Sequence, residues 1–234
     1  MAQQVNLKPF YWGLGVLALL GAAWIWNSTV RGNVAMYAEP VPAADTTGAA
    51  SFPGYAKGSD SAAILVHEYA DFTCPVCGQF GVLTFPDIET RLIQTGKIRW
   101  RFHDRPLGTT GEHEFSYVAS HAAACADEQG HFWEMEYQLF NNQSAWAWRP
   151  GHSPEGAFRD YARAISLDLP RYDDCMKSGR FRARIQAEER TSEAMGIGST
   201  PTFIIGSLRI PGALTYDGFK RVIDSVSARA ARPK

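Results

Sequence analysis

Residues 62–77 read Ala62-Ala63-Ile64-Leu65-Val66-His67-Glu68-Tyr69-Ala70-Asp71-Phe72-Thr73-Cys74-Pro75-Val76-Cys77. An apolar run from Ala62 to Phe72 has the character of a buried strand, and the residues from Cys74 onward have helical spacing. The junction therefore sets a thiol at the positive end of a helix dipole, which makes a cysteine reactive rather than structural. Much later the chain reads Ser199-Thr200-Pro201-Thr202-Phe203, where a proline precedes a β-rich run and is a candidate for a cis peptide bond. The two stretches together predict redox chemistry on thiols.

Outward from the cysteine pair the organisation is regular. A helix is expected from Cys74 to about Thr95, interrupted near Pro86, and Ile98-Arg99-Trp100-Arg101-Phe102 alternates like a second strand. Strand, helix and strand imply a βαβ unit with a parallel pair. Helical spacing then covers 113–128, 131–141, 154–166 and 180–195. Strands return at Thr202–Ile205 and Ser207–Ile210, with Gly206 and Ser207 placed for a tight hairpin, before a last helix from Tyr216 to about Arg229. The pattern is an α/β frame with an all-helical block inserted in it.

Toward the amino terminus the character changes. No charge occurs from Pro9 to Val30, and Phe10–Trp26 is almost wholly apolar. As a helix those residues span roughly 26 Å, close to a hydrocarbon thickness of about 30 Å. Tyr11 and Trp12 at one end and Trp24 and Trp26 at the other suit the two interfaces. This predicts a single membrane-spanning anchor. The competing reading is a cleaved signal peptide, for which Met36-Tyr37-Ala38 is the nearest but poorly matched site. Residues 31–60, with Pro40, Pro42, Pro53 and several small residues, read as a flexible linker. The expected domains are thus an anchor over 1–30, a linker over 31–60, and a catalytic domain over 61–232 with its helical insertion at about 109–195.

The 234 residues, 45% apolar and 20% charged, give ample material for a core, and 23 basic against 24 acidic side chains offer no reason to expect a nucleic-acid partner. Four cysteines, two of them in a CxxC, fit an oxidising compartment outside the cytoplasmic membrane, with a short cytoplasmic tail before the anchor.

A strand ending in Glu68-Tyr69-Ala70-Asp71-Phe72, then Cys74-Pro75-Val76-Cys77, a helical insertion, Thr200-Pro201, a hairpin and a final helix resembles the DsbA-like branch of the thioredoxin superfamily. The likeness covers roughly residues 61–230. It implies a thioredoxin fold with an inserted helical domain and a thiol-disulfide oxidoreductase that introduces disulfides into exported proteins. By the same resemblance Cys74 is the attacking cysteine and Cys77 its partner, Pro201 the cis-proline facing the disulfide, and Thr200 the residue whose backbone pairs with substrate. Glu68 matches a buried acid that serves proton transfer near the second thiol. The family also implies a membrane redox partner that reoxidises or reduces the pair, and no cofactor or metal.

The residue types suit that chemistry. Lowering a thiol's pKa makes it a better leaving group, so a stabilised Cys74 thiolate makes the disulfide form more oxidising. Pro75 and Val76 lie nearest the thiolate and, with Thr200, are expected to contact substrate. Val76 stands where the strongest oxidases of the family carry a histidine and can donate neither a hydrogen bond nor charge, which leaves reductase or isomerase roles open. Ser199 is a second departure, where the family often has glycine. A holdase that grips unfolded exported chains is an alternative from another class.

Each residue also has a plainer reading. Zinc at Cys74 and Cys77 wants a second CxxC or a close histidine pair, and Cys125 and Cys175 lie 50 residues apart. Those two are expected to form a structural disulfide between helices, the alternatives being two buried free thiols or a pair that shuttles electrons to the CxxC. His121 and Cys125 share a helical face, an arrangement more often packing than ligation. His67, His103, His113, His131 and His152 are left as ordinary. Phe132, Trp133, Tyr137, Trp146 and Trp148 are divided between core and a groove for unfolded substrate.

Overall fold

The structure, a computed structural model, describes residues 12, 17–22, 39–40, 52–149 and 151–230. The chain divides into two units, residues 1–38 and 39–234. In the first, residues 17–22 are helical. The membrane anchor expected over residues 1–30 lies largely outside the described residues. Among those described, no helix is long and apolar enough to cross a membrane.

The second unit is organised on a sheet of β1 (Glu39–Pro40), β2 (Tyr55–Lys57), β3 (Ile64–Ala70), β4 (Ile98–Asp104), β5 (Thr202–Ile205) and β6 (Leu208–Pro211). Their order is β1-β6-β5-β3-β4-β2. β3 and β4 run parallel with Glu68 opposite Phe102, while every other neighbouring pair is antiparallel. The parallel pair needs a crossover, supplied by α1 (Pro75–Leu83), α2 (Phe85–Ile88) and a π-helical turn at Glu89–Ile93. Pro86 lacks an N–H and fits only a first turn, so the helix ends at Leu83 and a new one starts at Phe85, the interruption expected near Pro86.

Within residues 31–60, expected to be a linker, the described residues include the strands Glu39–Pro40 and Tyr55–Lys57. Tyr55–Lys57 pairs with Phe102, Arg101 and Trp100 of β4, and the buried Tyr55 ring stacks on Phe132 at 3.6 Å between centroids. Three residues are too few for an alternating pattern to stand out in a proline- and glycine-rich stretch.

Between β4 and β5 lie a 3-10 turn (Gly111–His113), α3 (Ser116–Asp127), α4 (Phe132–Asn141), α5 (Gln143–Trp146), α6 (Glu155–Ala164), α7 (Leu169–Ser178) and α8 (Arg182–Ala194); α9 (Tyr216–Ala230) closes the fold. Helices α5 and α7 were not anticipated. The signals for α7 were nevertheless local: the Asp168 side chain accepts from Arg171 N–H at 3.0 Å, and Gly179 ends the helix with φ of 61°.

One face of the sheet is aromatic. Trp100, fully buried on β4, packs among Phe80, Phe85, Phe203 and Phe219, which fastens α1, α2 and α9 to the strands. On the opposite face Tyr69 and Ile204 pack with Ile197. The insertion carries the disulfide between Cys125 of α3 and Cys175 of α7, both wholly buried. His121 lies 3.0 Å from the Cys175 carbonyl oxygen and 3.6 Å from Cys125 Sγ. With both sulfurs in the disulfide, that histidine is a packing neighbour rather than part of a metal centre. Of the aromatics in the insertion, Phe132 and Trp146 are core, whereas Tyr137 and Trp148 are exposed.

Candidate active site

The turn after β3 aims Cys74 at the start of α1. Cys74 N–H donates to the Asp71 carbonyl at 3.1 Å, Cys74 itself is extended (φ −71°, ψ 120°) as the residue before the helix, and Pro75 takes the first helical position. There proline's missing N–H costs nothing, since the first helical N–H groups have no intrahelical partner. Gly78 N–H then donates to the Cys74 carbonyl at 3.1 Å and closes the first turn. Pro75 and Val76 are exposed at the surface while Cys77 turns inward.

The two sulfurs sit in unequal environments. Both are free thiols; Cys74 is 6% exposed and Cys77 not at all. A hydrogen bond from the Cys77 thiol is the largest influence on Cys74, and with Thr200 and the N–H groups of Cys77 and Val76 it outweighs burial and lowers the Cys74 pKa to about 6. Burial pushes the Cys77 thiol well above its ordinary value, and the neighbouring Cys74 pushes it further. The negative charge therefore belongs on Cys74.

Thr200 and Pro201 meet this thiol from the loop before β5. Cys74 Sγ donates to the Thr200 carbonyl at 3.4 Å, and the Thr200–Pro201 peptide bond is cis. The loop is held by Gly212 N–H donating to the Pro201 carbonyl at 2.8 Å and by the Thr202 hydroxyl donating to the Ser199 carbonyl at 2.7 Å. Residues separated by well over a hundred positions thus meet at one sulfur.

Glu68 projects from β3 into the aromatic core beneath α1. It is 3% exposed, and its Oε2 accepts from Trp100 Nε1–H at 3.0 Å. Burial raises its pKa to about 8, against the opposing effect of the Trp100 bond. Its hydrogen-bond partner is thus Trp100 rather than Cys77. Glu136 of α4 is buried as well, and burial and then the Glu68 charge push its carboxyl well above the usual range.

Several residues of the site have partners that only the folded chain discloses. Asp71 is buried and accepts from Thr73 N–H at 2.8 Å, the Thr73 hydroxyl at 2.9 Å, Leu107 N–H at 2.8 Å and the Ser116 hydroxyl at 2.7 Å. The Thr73 oxygen, having donated its proton, pairs with His113 Nδ1 at 2.8 Å. Gln143 reaches in from α5 and donates to the carbonyls of Phe72 and Cys74. A second set of polar contacts joins sheet to insertion: His67 Nδ1 lies 2.9 Å from His103 Nε2, His103 Nδ1 lies 3.2 Å from Glu188 Oε1, and Arg184 lies 3.3 Å from Asp104 Oδ2. Spacing along the chain could not have joined these residues, because the insertion folds back on the motif only in three dimensions.

A family model described as Thioredoxin matches residues 52–225. Na(+)/H(+) antiporter NhaA 3 of Salinispora tropica is 30% identical over 176 residues, covering 75% of this chain and 25% of the antiporter. This chain therefore spans about a quarter of the length of the antiporters it matches. Disulfide bond formation protein D of Bacillus subtilis is 26% identical over 204 residues, covering 85% of this chain and 84% of that protein. Among solved structures, a variant of alpha-DsbA1 from Wolbachia pipientis superimposes with a TM-score of 0.69 at 22% identity, over 79% of this chain and 96% of that one. BdbD from Bacillus subtilis, in its oxidised form, gives 0.64 at 21% identity, over 81% and 96%. The resemblance to the DsbA-like branch holds in the fold.

Proposed function

The chain belongs to the thioredoxin family, and from that premise we propose that it is a thiol-disulfide oxidoreductase that introduces disulfides into exported proteins. The observation that carries this reading is the inequality of the two sulfurs, with a stabilised thiolate on Cys74 at the start of α1 and a fully buried thiol on Cys77. In the disulfide form a substrate thiolate attacks Cys74 Sγ, the Cys74–Cys77 bond breaks, and its electron pair leaves on Cys77. Cys77 then takes a proton, for which Glu68, protonated at neutral pH in the core below α1, is the proposed source. The substrate's second thiolate attacks its own sulfur in the mixed disulfide. Substrate leaves oxidised by two electrons, and Cys74 leaves as the thiolate its surroundings favour.

Thr200 and cis-Pro201 are assigned to holding an extended substrate segment beside Cys74, with the exposed Pro75 and Val76 as the other contacts. The apolar run Phe10–Trp26 is assigned to a membrane anchor, with the domain on the extracytoplasmic side and a membrane redox partner resetting the pair. Disulfide bond formation protein D, similar over most of both chains, supports the direction of transfer by its name.

A second reading follows from Val76, which is 43% exposed and apolar beside the thiolate. Without a donor at that place the pair is a weaker oxidant, and the same residues then serve a reductase or isomerase. The measurement that sets a reductase apart from a donor or isomerase is the reduction potential of Cys74 and Cys77 against glutathione, with Cys125 and Cys175 followed separately. A value about −120 to −180 mV supports a donor or isomerase, and one about −270 mV assigns a reductase. Cys74→Ser abolishes exchange in either case; a chain whose protection of clients is unaffected and whose thiols never exchange is a binding module instead.

A further inference from the structure

Gln143 opens α5 and is 6% exposed. Its amide nitrogen carries two hydrogens, and both are used: Nε2 donates to the Phe72 carbonyl at 2.7 Å and to the Cys74 carbonyl at 2.9 Å. Its oxygen faces α1 at Gly78, where an added Cβ would stand 2.6 Å from Oε1. One side chain from the insertion is thus fitted against three points of the turn that bears the thiol. Those points are the carbonyl two residues ahead of the cysteine, the carbonyl of the cysteine itself, and the helix backbone one turn on. The Cys74 carbonyl also receives the Gly78 N–H, so the amide reinforces the bond that starts α1.

Resting on the reading of Cys74 and Cys77 as an exchanging pair, we propose that Gln143 is a positioning residue whose amide holds the Phe72–Cys74 turn and thereby sets the thiol-disulfide equilibrium of the pair. The two donated hydrogens hold the Phe72–Thr73 and Cys74–Pro75 peptide planes, which bracket Thr73 and Cys74. The N–H groups of Val76 and Cys77, which face the Cys74 sulfur, hang from that same turn. Gly78 belongs to the device: any larger residue would drive the amide off its acceptors. Loss of the amide lets the turn relax, so the thiolate is held less well and the disulfide form gains relative to the dithiol.

The test uses the full-length chain equilibrated with glutathione, beside the pH dependence of Cys74 alkylation. Gln143→Met keeps length and bulk while removing both donors. The expected result is an equilibrium displaced toward the disulfide about tenfold, about 30 mV for this two-electron couple, with the alkylation midpoint raised by about one pH unit. Gly78→Ala presses on the same amide and moves both readings the same way. Joined to Gln143→Ala, which clears the oxygen, it adds less than its separate effect. The proposal is overturned if Gln143→Met lowers the denaturation midpoint but leaves the equilibrium and the alkylation midpoint at their wild-type values. Should Gln143→Met fail to fold, Gly78→Ala is read by the same two measurements and the same criterion. A wild-type chain that never exchanges with glutathione removes the functional reading itself, a result distinct from normal exchange in wild type and variants alike.

Discussion

Glu68→Gln separates the consequences of a buried carboxyl from those of its shape. Glu68 is held by one hydrogen bond from Trp100, and burial moves its pKa from 4.5 to about 8. In the unfolded chain the carboxyl loses its proton near the lower value, and in the native state near the higher one. Across that window the native state binds one proton more, so stability falls as pH rises. The contribution is complete below the unfolded value and lost as pH rises through the folded one. At about 1.4 kcal/mol per pH unit the interval amounts to about 5 kcal/mol, an upper bound because water entering around the ionised group recovers part of it. Glutamine keeps an oxygen for Trp100 Nε1–H and cannot ionise. Its NH2 group, without an assured acceptor, costs about 1–3 kcal/mol at every pH. The informative quantity is therefore the pH dependence of the difference between the two proteins. Asp104 and Glu188, raised to about 8 and about 7 chiefly by burial, are present in both and cancel. Glu136 loses a neighbouring charge in the variant, which flattens the variant's curve further. Urea denaturation of both reduced proteins at acid, neutral and alkaline pH should show the variant gaining about 3–5 kcal/mol on wild type between about pH 5 and pH 9. Curves parallel to within about 1 kcal/mol would refute the placement of Glu68 as a neutral acid in the core.

Alkylation of the reduced protein should give one adduct, on Cys74, with a rate that is half-maximal near pH 6 as its lowered pKa requires; first labelling of Cys77 would contradict the assignment of the charge. Replacing Cys125 and Cys175 together by serine removes a cross-link closing a 50-residue loop. On the chain-entropy model this costs about 4 kcal/mol of stability, read by denaturation, while exchange at Cys74 persists. Asp71→Ala strands the donors of Thr73, Leu107 and Ser116 in a buried site. It should cost about 3 kcal/mol or more, and a loss under about 1 kcal/mol in denaturant would show that water replaces the carboxylate without penalty.

What the sequence disclosed was whatever is local. The strand into Cys74, the proline at residue 201 and the alternation at Ile98–Phe102 each carry their meaning in a few neighbouring residues, and the structure has β3, the cis peptide bond and β4 there. Tyr55–Lys57 escaped notice because three residues leave no period, and because Tyr55 is recruited by Phe132 and β4 rather than by its neighbours. Helix α7 was missed for a different reason: its buried positions are few, Tyr172 and Cys175, so its apolar stripe is thin although its ends are well marked. Gln143 and Asp71 were illegible in another sense. Gln143 meets only main-chain carbonyls, which leave no trace in the identity of a side chain, and Asp71 joins main-chain N–H groups to hydroxyls as distant as Ser116. His67 and His103, read as ordinary, prove to be joined to Glu188 across the junction with the insertion.

On the proposed reading, the two ends of the sheet bear on how the protein would meet unfolded chains. Among the described residues its outer strands are β1, two residues ending in Pro40, and β2, three residues ending in Lys57 beside Glu89. A long bare edge would invite an extended client to zip on strand by strand, and short edges bearing proline or lysine are what discourages such templating. On the proposed reading, clients are met at the cis-Pro201 loop, where a brief extended contact is enough to present one sulfur to another. The sheet itself gives them little to grow from, so a chain can be handled and let go without the handler becoming the seed of an aggregate.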